Sequence, residues 1–212
     1  MLQGLSLNER RIKMSLVIQE FQLQFTRPIA KRRATNRIVV HHTAGHDNSV
    51  PEIHQMHLNR KWVGIGYHYI IRQNGNIERG RPEALRGAHA GDANVDSIGI
   101  GLTGNFERNA PTSVQITSLV ALIRDIKRRL GQNIIIVRHS DVMNTLCPGR
   151  LFPWTELLER VLLREYVVQS GDTIWSIAAT HLGNGARWVE IQRLNNISNN
   201  DIKIGQRLRL PQ

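Results

Sequence analysis

Four residues at three places in this sequence could supply a shared metal site. His41 and His42 close the run Arg37-Ile-Val-Val-His-His42, His139 follows Ile134-Ile-Ile-Val137, and Cys147 comes eight residues after that histidine. Two imidazoles and one thiolate form a set that zinc accepts. Three protein ligands leave a fourth position open, which marks a catalytic rather than a structural site. Successive strand residues face opposite sides of a sheet, so an undistorted strand offers only one of His41 and His42 to a shared metal. No pair of these residues has zinc-finger spacing, so their meeting depends on the fold. Cys147 is the single cysteine, which rules out an intramolecular disulfide, and nine histidines are many for 212 residues. His54 and His57 stand at i, i+3 on one expected helix and read as helix packing. His46, His68 and His181 receive no role.

The elements that position these residues alternate between strand and helix. Segment 14–25 alternates like a short strand, and residues 1–13 read as a dispensable extension. The β-branched run Arg37–His42 reads as a buried strand. Ser49 and Pro51 open a helix to about Asn59. Gly66–Arg72 is a second strand, turning through Gln73-Asn-Gly-Asn76 into Ile77-Glu-Arg79. Ser97–Thr103 is a third strand, whose glycines imply close backbone packing. Thr112-Ser-Val-Gln115 is a capping box opening a helix to Leu130, closed by Gly131. Ile134–Val137 reads as another buried strand, and Pro153 to about Arg164 as an amphipathic helix. The expected class is α/β (α+β), a central mixed sheet flanked by helices. The pattern changes at Tyr166. A strand, a helix capped by Asp172 or Ser170, a second helix from about Ala186 to Asn195 and the strand Gln206–Leu210 give a small βααβ module.

The net charge of +11 suits polyanionic partners, and both anionic wall polymers and nucleic acid qualify. The basic residues form no long tract; Lys31, Arg32, Arg33 and Arg37 come nearest to one. Aromatic residues make up only 5%, which argues against nucleic acid. No apolar run approaches the roughly 20 residues that span a bilayer. The N-terminal stretch lacks the apolar core and cleavage site of a secretory signal. The expectation is a monomer made in the cytoplasm, binding neither membrane nor nucleic acid.

Five motifs occur in order: Ile38-Val-Val-His-His-Thr-Ala44, Gly66-Tyr-His-Tyr69, Gly87-Ala-His-Ala90, Ser97-Ile-Gly-Ile-Gly101, and Arg138-His-Ser-Asp141 with Thr145, Cys147 and Pro148. Together they resemble the zinc-dependent N-acetylmuramoyl-L-alanine amidase family, which includes phage lysozyme of the T7 type and the peptidoglycan recognition proteins. The resemblance covers roughly residues 35 to 162. It implies one zinc ion per chain on His41, His139 and Cys147, with His42 a non-ligand neighbour. It makes Tyr67 the active-site tyrosine and Thr145 a position that is Lys or Thr among members. It places His89 in a loop bordering the substrate groove. Zinc in this family activates water and polarises the amide between N-acetylmuramic acid and L-alanine. Tyr67 and Thr145 would donate hydrogen bonds to the developing oxyanion. Some members carry a glutamate on the strand matching Ser97–Thr103. Here Gly101 and Thr103 stand there, so that base is absent.

The segment from Tyr166 to Pro211 resembles a LysM domain, which binds N-acetylglucosamine-containing glycans between two loops. Those loops are Gly171–Ile174 and about Asn199–Lys203, with Asp172, Thr173, Ile174 and Ile202 as candidate contacts. The expected layout is an extension over 1–34, an amidase domain over 35–164 and a LysM domain over 165–212. The implied protein is a peptidoglycan hydrolase, an endolysin of phage or prophage waiting in the cytoplasm or a bacterial autolysin, with a muropeptide as substrate. The alternative is a non-catalytic peptidoglycan receptor on the same fold.

Overall fold

The computed structural model describes residues 16–211; the expected extension over 1–13 lies outside them. The chain divides into two compact units, Met1–Pro153 and Trp154–Gln212.

The first unit is built on β1 (Ile18–Gln19), β2 (Arg37–His42), α1 (Val50–Asn59), β3 (Tyr69–Ile71), β4 (Ile77–Arg79), β5 (Ser97–Leu102), α2 (Ser113–Leu130) and β6 (Ile135–Arg138). The strands form one mixed sheet in the order β1-β4-β3-β5-β2-β6. Only the hairpin pair β3–β4 is antiparallel; β2, β5, β6 and β3 run parallel where they pair. Parallel central strands bury both faces, so their sequences read as unbroken apolar runs. Ile38, Val39, Val40, Ile98, Ile100 and Leu102 are all fully buried, each contributing about 1.5–3 kcal/mol of hydrophobic stabilisation.

Helix α1 begins where expected: the Ser49 amide donates to Glu52 Oε2 at 2.6 Å, and Pro51 lies in the first turn. Val50 and Ile53 pack with Ile65 and Ile70 against Phe21, Leu23 and Phe25. On α2 the Thr112–Gln115 box forms, and Ile116, Leu119, Leu122, Ile123 and Ile126 make the buried stripe. The side-chain amide of Gln115 donates to the carbonyls of Ile71 and Thr103, tying this helix to the sheet.

Two expectations for this unit change. The strand near Ile134 is not buried: β6 pairs with β2 at the edge of the sheet, and Ile135 is 55% exposed. A β-branched run specifies extended backbone, but what covers it depends on neighbours distant in sequence. The second strand is also shorter than Gly66–Arg72: regular pairing with β4 and β5 spans only Tyr69–Ile71, although the His68 amide still donates to the Gly99 carbonyl at 2.9 Å.

In the second unit follow α3 (Trp154–Leu162), β7 (Arg164–Val167), α4 (Ile174–Leu182), α5 (Trp188–Asn195) and β8 (Arg207–Leu210). Strands β7 and β8 pair antiparallel, giving the expected βααβ arrangement. Val168, Ile174, Ile177, Ala178, Ile191, Leu208 and Leu210 form its core. The cap of α4 is Thr173, whose hydroxyl accepts from the Ser176 amide at 3.0 Å, rather than Asp172 or Ser170. Asp172 instead accepts from the Tyr166 hydroxyl and the Gln169 amide, each at 2.6 Å. No described helix is long and apolar enough to cross a membrane.

Candidate metal centre

Strand β2 lies between β5 and β6, parallel to both, so the C-terminal ends of β2 and β6 share one edge of the sheet. Such edges are where open α/β sheets collect sites. His41 is the next-to-last residue of β2, and His139 follows β6 in a short 3-10 turn, His139–Asp141. That turn is held by Asp141, which accepts from the Arg138 amide at 2.8 Å. The Ser140 amide donates to the Cys147 carbonyl at 2.9 Å and folds the intervening loop back.

The ligand atoms of His41, His139 and Cys147 all lie within 4.8 Å of one another. Cys147 Sγ is 3.8 Å from His41 Nδ1. Two ligands at zinc–sulfur and zinc–nitrogen distances and a tetrahedral angle would stand roughly 3.5 Å apart. His41 is 1% exposed and Cys147 7%, while His139 is half-buried and leaves one side open. The donor set and its spacing fit a zinc ion.

Strand alternation separates the two histidines without distortion. His41 is in register with Gly101 and shares its face, and His42 is in register with Leu102 on the other. His42 Nδ1 accepts from the Phe106 amide at 3.0 Å. The His42 backbone amide contributes separately, donating to Cys147 Sγ at 3.4 Å.

Burial dominates the electrostatics. It holds the His41 imidazole well below its ordinary value, reinforced by His139, so the ring is neutral with a lone pair to offer. Burial pushes the Cys147 thiol up to about 11, against the opposing hydrogen bond from His42. A thiol in that state needs a cation beside it to ionise at neutral pH. Burial, then the nearby Cys147, push the Tyr67 hydroxyl up to about 12, so it remains a donor.

Strand β5 lies between β3 and β2 and carries glycine at 99 and 101 on the site face. A Cβ at Gly101 would lie 3.5 Å from Tyr67 Cγ, and the Tyr67 ring stands 5.2 Å from that of His41. Thr145 Oγ1 accepts from the Cys147 amide at 3.2 Å, a bond that does not use its own O–H. His89, expected at the groove, has Nδ1 3.0 Å from His41 Nε2. Met143, which the sequence did not single out, has Sδ 3.2 Å from His139 Nε2. No periodicity marks that contact, because it arises within an irregular loop.

His54 reads as packing in the structure too: Nε2 meets the Gln24 carbonyl at 3.0 Å and Nδ1 accepts from the Ile65 amide at 3.2 Å. His57 lies against Trp62, with ring centroids 4.7 Å apart. In the second unit Asp172 and Thr173 are engaged in local hydrogen bonds, Ile174 is buried and Ile202 packs on the core.

A family model described as N-acetylmuramoyl-L-alanine amidase matches residues 31–150, and a LysM domain model matches residues 166–211. An endolysin of Klebsiella phage KP32 is 33% identical over 149 residues, covering 66% of this chain and 95% of the phage protein. Peptidoglycan-recognition protein SC2 of Drosophila simulans is 37% identical over 131 residues, covering 56% of this chain and 70% of that protein. Among solved structures, N-acetylmuramoyl-L-alanine amidase LysC from Clostridium intestinale is similar at a TM-score of 0.65 and 40% identity, covering 68% of this chain and 95% of its own. With the match spanning β2 to β6 and the candidate metal centre, the chain belongs to the N-acetylmuramoyl-L-alanine amidase family and carries a C-terminal LysM domain.

Proposed function

We propose that this protein hydrolyses the amide joining the lactyl group of N-acetylmuramic acid to L-alanine in peptidoglycan, using one zinc ion held by His41, His139 and Cys147. The observation that carries the reading is the meeting of three ligand atoms within 4.8 Å, from positions up to 106 residues apart, in a chain of this family. Zinc supplies Lewis acidity, activating water and polarising the scissile carbonyl. Tyr67, protonated across the working pH range, and Thr145, whose bond from the Cys147 amide does not use its O–H, donate to the oxygen that gains charge in the transition state. Gly99 and Gly101 leave no carboxylate on β5 to serve as a base.

The LysM domain holds the enzyme on glycan containing N-acetylglucosamine and raises its effective concentration on an insoluble substrate. Loops 171–174 and 199–203 are the proposed contact, with Asp172 and Thr173 shaping the first loop and Ile174 and Ile202 anchoring each from beneath. The domain limits follow the modules, with the amidase over 35–164 and LysM over 165–212. The net charge of +11 suits anionic wall polymers. The setting proposed is that of an endolysin, made in the cytoplasm and reaching the wall after release.

The reading is tested by clearing of a wall suspension with and without chelator, beside Cys147→Ser. The wild type should clear walls, stop with chelator and resume with zinc. Cys147→Ser should bind walls without clearing them. Walls bound but never cleared by the wild type with zinc restored would favour a non-catalytic receptor, as the recognition-protein relative suggests. The intact Cys147 stands against that alternative.

A further inference from the structure

A histidine that binds a metal through one ring nitrogen carries its proton on the other. The group receiving that N–H sets the ring's orientation and its strength as a ligand. In His41 the nitrogen facing Cys147 Sγ is Nδ1, so with zinc on that nitrogen the ring's proton would sit on Nε2. The atom in its path is His89 Nδ1, at 3.0 Å, with the two rings edge to face at a centroid distance of 5.0 Å. In that state His41 Nε2 would donate to His89 Nδ1, which would fix both tautomers at once and leave the proton of His89 on Nε2.

The surroundings of His89 are built to hold that ring. A Cβ at Gly99 would stand 2.4 Å from His89 Cδ2, and one at Gly87 2.5 Å from the same atom, so two glycines form the slot. His68 closes it edge to face at 5.6 Å. His68 is itself fixed, with Nδ1 accepting from the Gly99 amide at 2.9 Å and Nε2 meeting the Leu85 carbonyl at 2.9 Å. Asn94 Oδ1 accepts from the amides of His89 and Ala90, at 2.8 and 3.0 Å, and pins the backbone. The Nε2 atom of His89 is buried and meets no hydrogen-bond partner among the described residues. A groove residue would present that nitrogen to substrate; here the ring spends its one engaged nitrogen on His41.

We propose that His89 is a positioning residue of the metal centre, holding His41 in the tautomer and orientation that present Nδ1 to zinc, and does not contact substrate. This rests on the reading of His41 as a ligand. An imidazole acceptor is neutral, unlike the carboxylate often found in this role. The centre therefore gains no negative charge from behind His41, and the bound cation keeps more of its electrophilic strength.

The test uses full-length protein, stripped of metal and titrated with zinc against a chromophoric chelator. His89→Leu fills the slot without an acceptor. His89→Asn places an amide oxygen near the position of Nδ1, and His89→Gln reaches instead toward that of Nε2. His89→Leu should weaken zinc binding roughly 10- to 100-fold. His89→Asn should stay within about threefold of wild type, and KM for a soluble muropeptide at saturating zinc should be unchanged. Cobalt loaded in place of zinc should give a wild-type visible spectrum in His89→Asn and an altered one in His89→Gln. Should His89→Leu fail to fold, the Asn and Gln variants decide: Asn must retain affinity and Gln must lose it. Equal affinities in these variants, or a raised KM with zinc affinity intact, would overturn the proposal. A wild-type protein that binds no zinc would instead refute the ligand reading beneath it.

Discussion

Gly99→Ala adds one methyl group to a fully paired strand, and the slot geometry gives it a definite effect. Its Cβ would stand 2.4 and 2.5 Å from Cδ2 and Cγ of His89. Carbon atoms pack at about 3.5–4.0 Å, so the ring must retreat by roughly 1 Å or more. A retreat of that size from 3.0 Å takes His89 Nδ1 beyond hydrogen-bond range of His41. Overpacking of this kind costs about 1–3 kcal/mol, and losing the contact behind a ligand costs about 10- to 100-fold in metal affinity. The assay is urea unfolding of the metal-free protein with chelator competition alongside, run as a double-mutant cycle with His89→Ala. Its three nearest neighbours all belong to His89, so once the ring is gone the added methyl should cost little and the cycle should show strong coupling. Additivity within about 0.5 kcal/mol would refute the slot.

Thr145→Val keeps the shape and removes the hydroxyl, and kcat on a soluble muropeptide should fall roughly 100- to 1000-fold with KM little changed. Tyr67→Phe should lower kcat similarly; since burial holds that hydroxyl up at about 12, the wild-type rate should show no basic limb from Tyr67 below pH 10 for the substitution to remove. Burial pushes the Glu83 carboxyl up, but hydrogen bonds from Arg129 and Tyr69 outweigh it and hold it down at about 2. Its stabilisation, on the order of 3 kcal/mol, is complete above the unfolded value near pH 4 and is lost as pH falls toward 2. Glu83→Gln should flatten the stability profile between those limits, as followed by urea unfolding. Removing residues 166–212 should weaken wall binding and leave cleavage of soluble muropeptides; an inactive but folded truncation would contradict separable modules.

The candidate ligands His41, His139 and Cys147 were legible through the resemblance of five ordered motifs to the amidase family; local rules marked two strand ends and a Pro-Gly turn but not which residues would meet. Helix α2 was legible locally, since Thr112 and Gln115 form their box within four residues. What escaped depends on contacts between distant segments. The exposure of β6 follows from its place at the sheet edge, which no residue of Ile135–Arg138 encodes alone. The contact of His89 with His41 joins positions 48 residues apart and needs glycine on both sides. The glycines of β5 signalled close packing, but not which ring they receive. Thr173 rather than Asp172 caps α4 because the aspartate is held by Tyr166 across the turn.

The zinc-loaded protein is proposed to cut one particular amide. Mass spectrometry of peptidoglycan digested by the wild type, with the metal-stripped protein as control, tests it most directly. Free stem peptides beginning at L-alanine and intact glycan strands with bare lactyl groups should appear, and neither product once the metal is removed. New reducing ends on the glycan, cleavage within the stem peptide, or the same products from metal-free protein would contradict it.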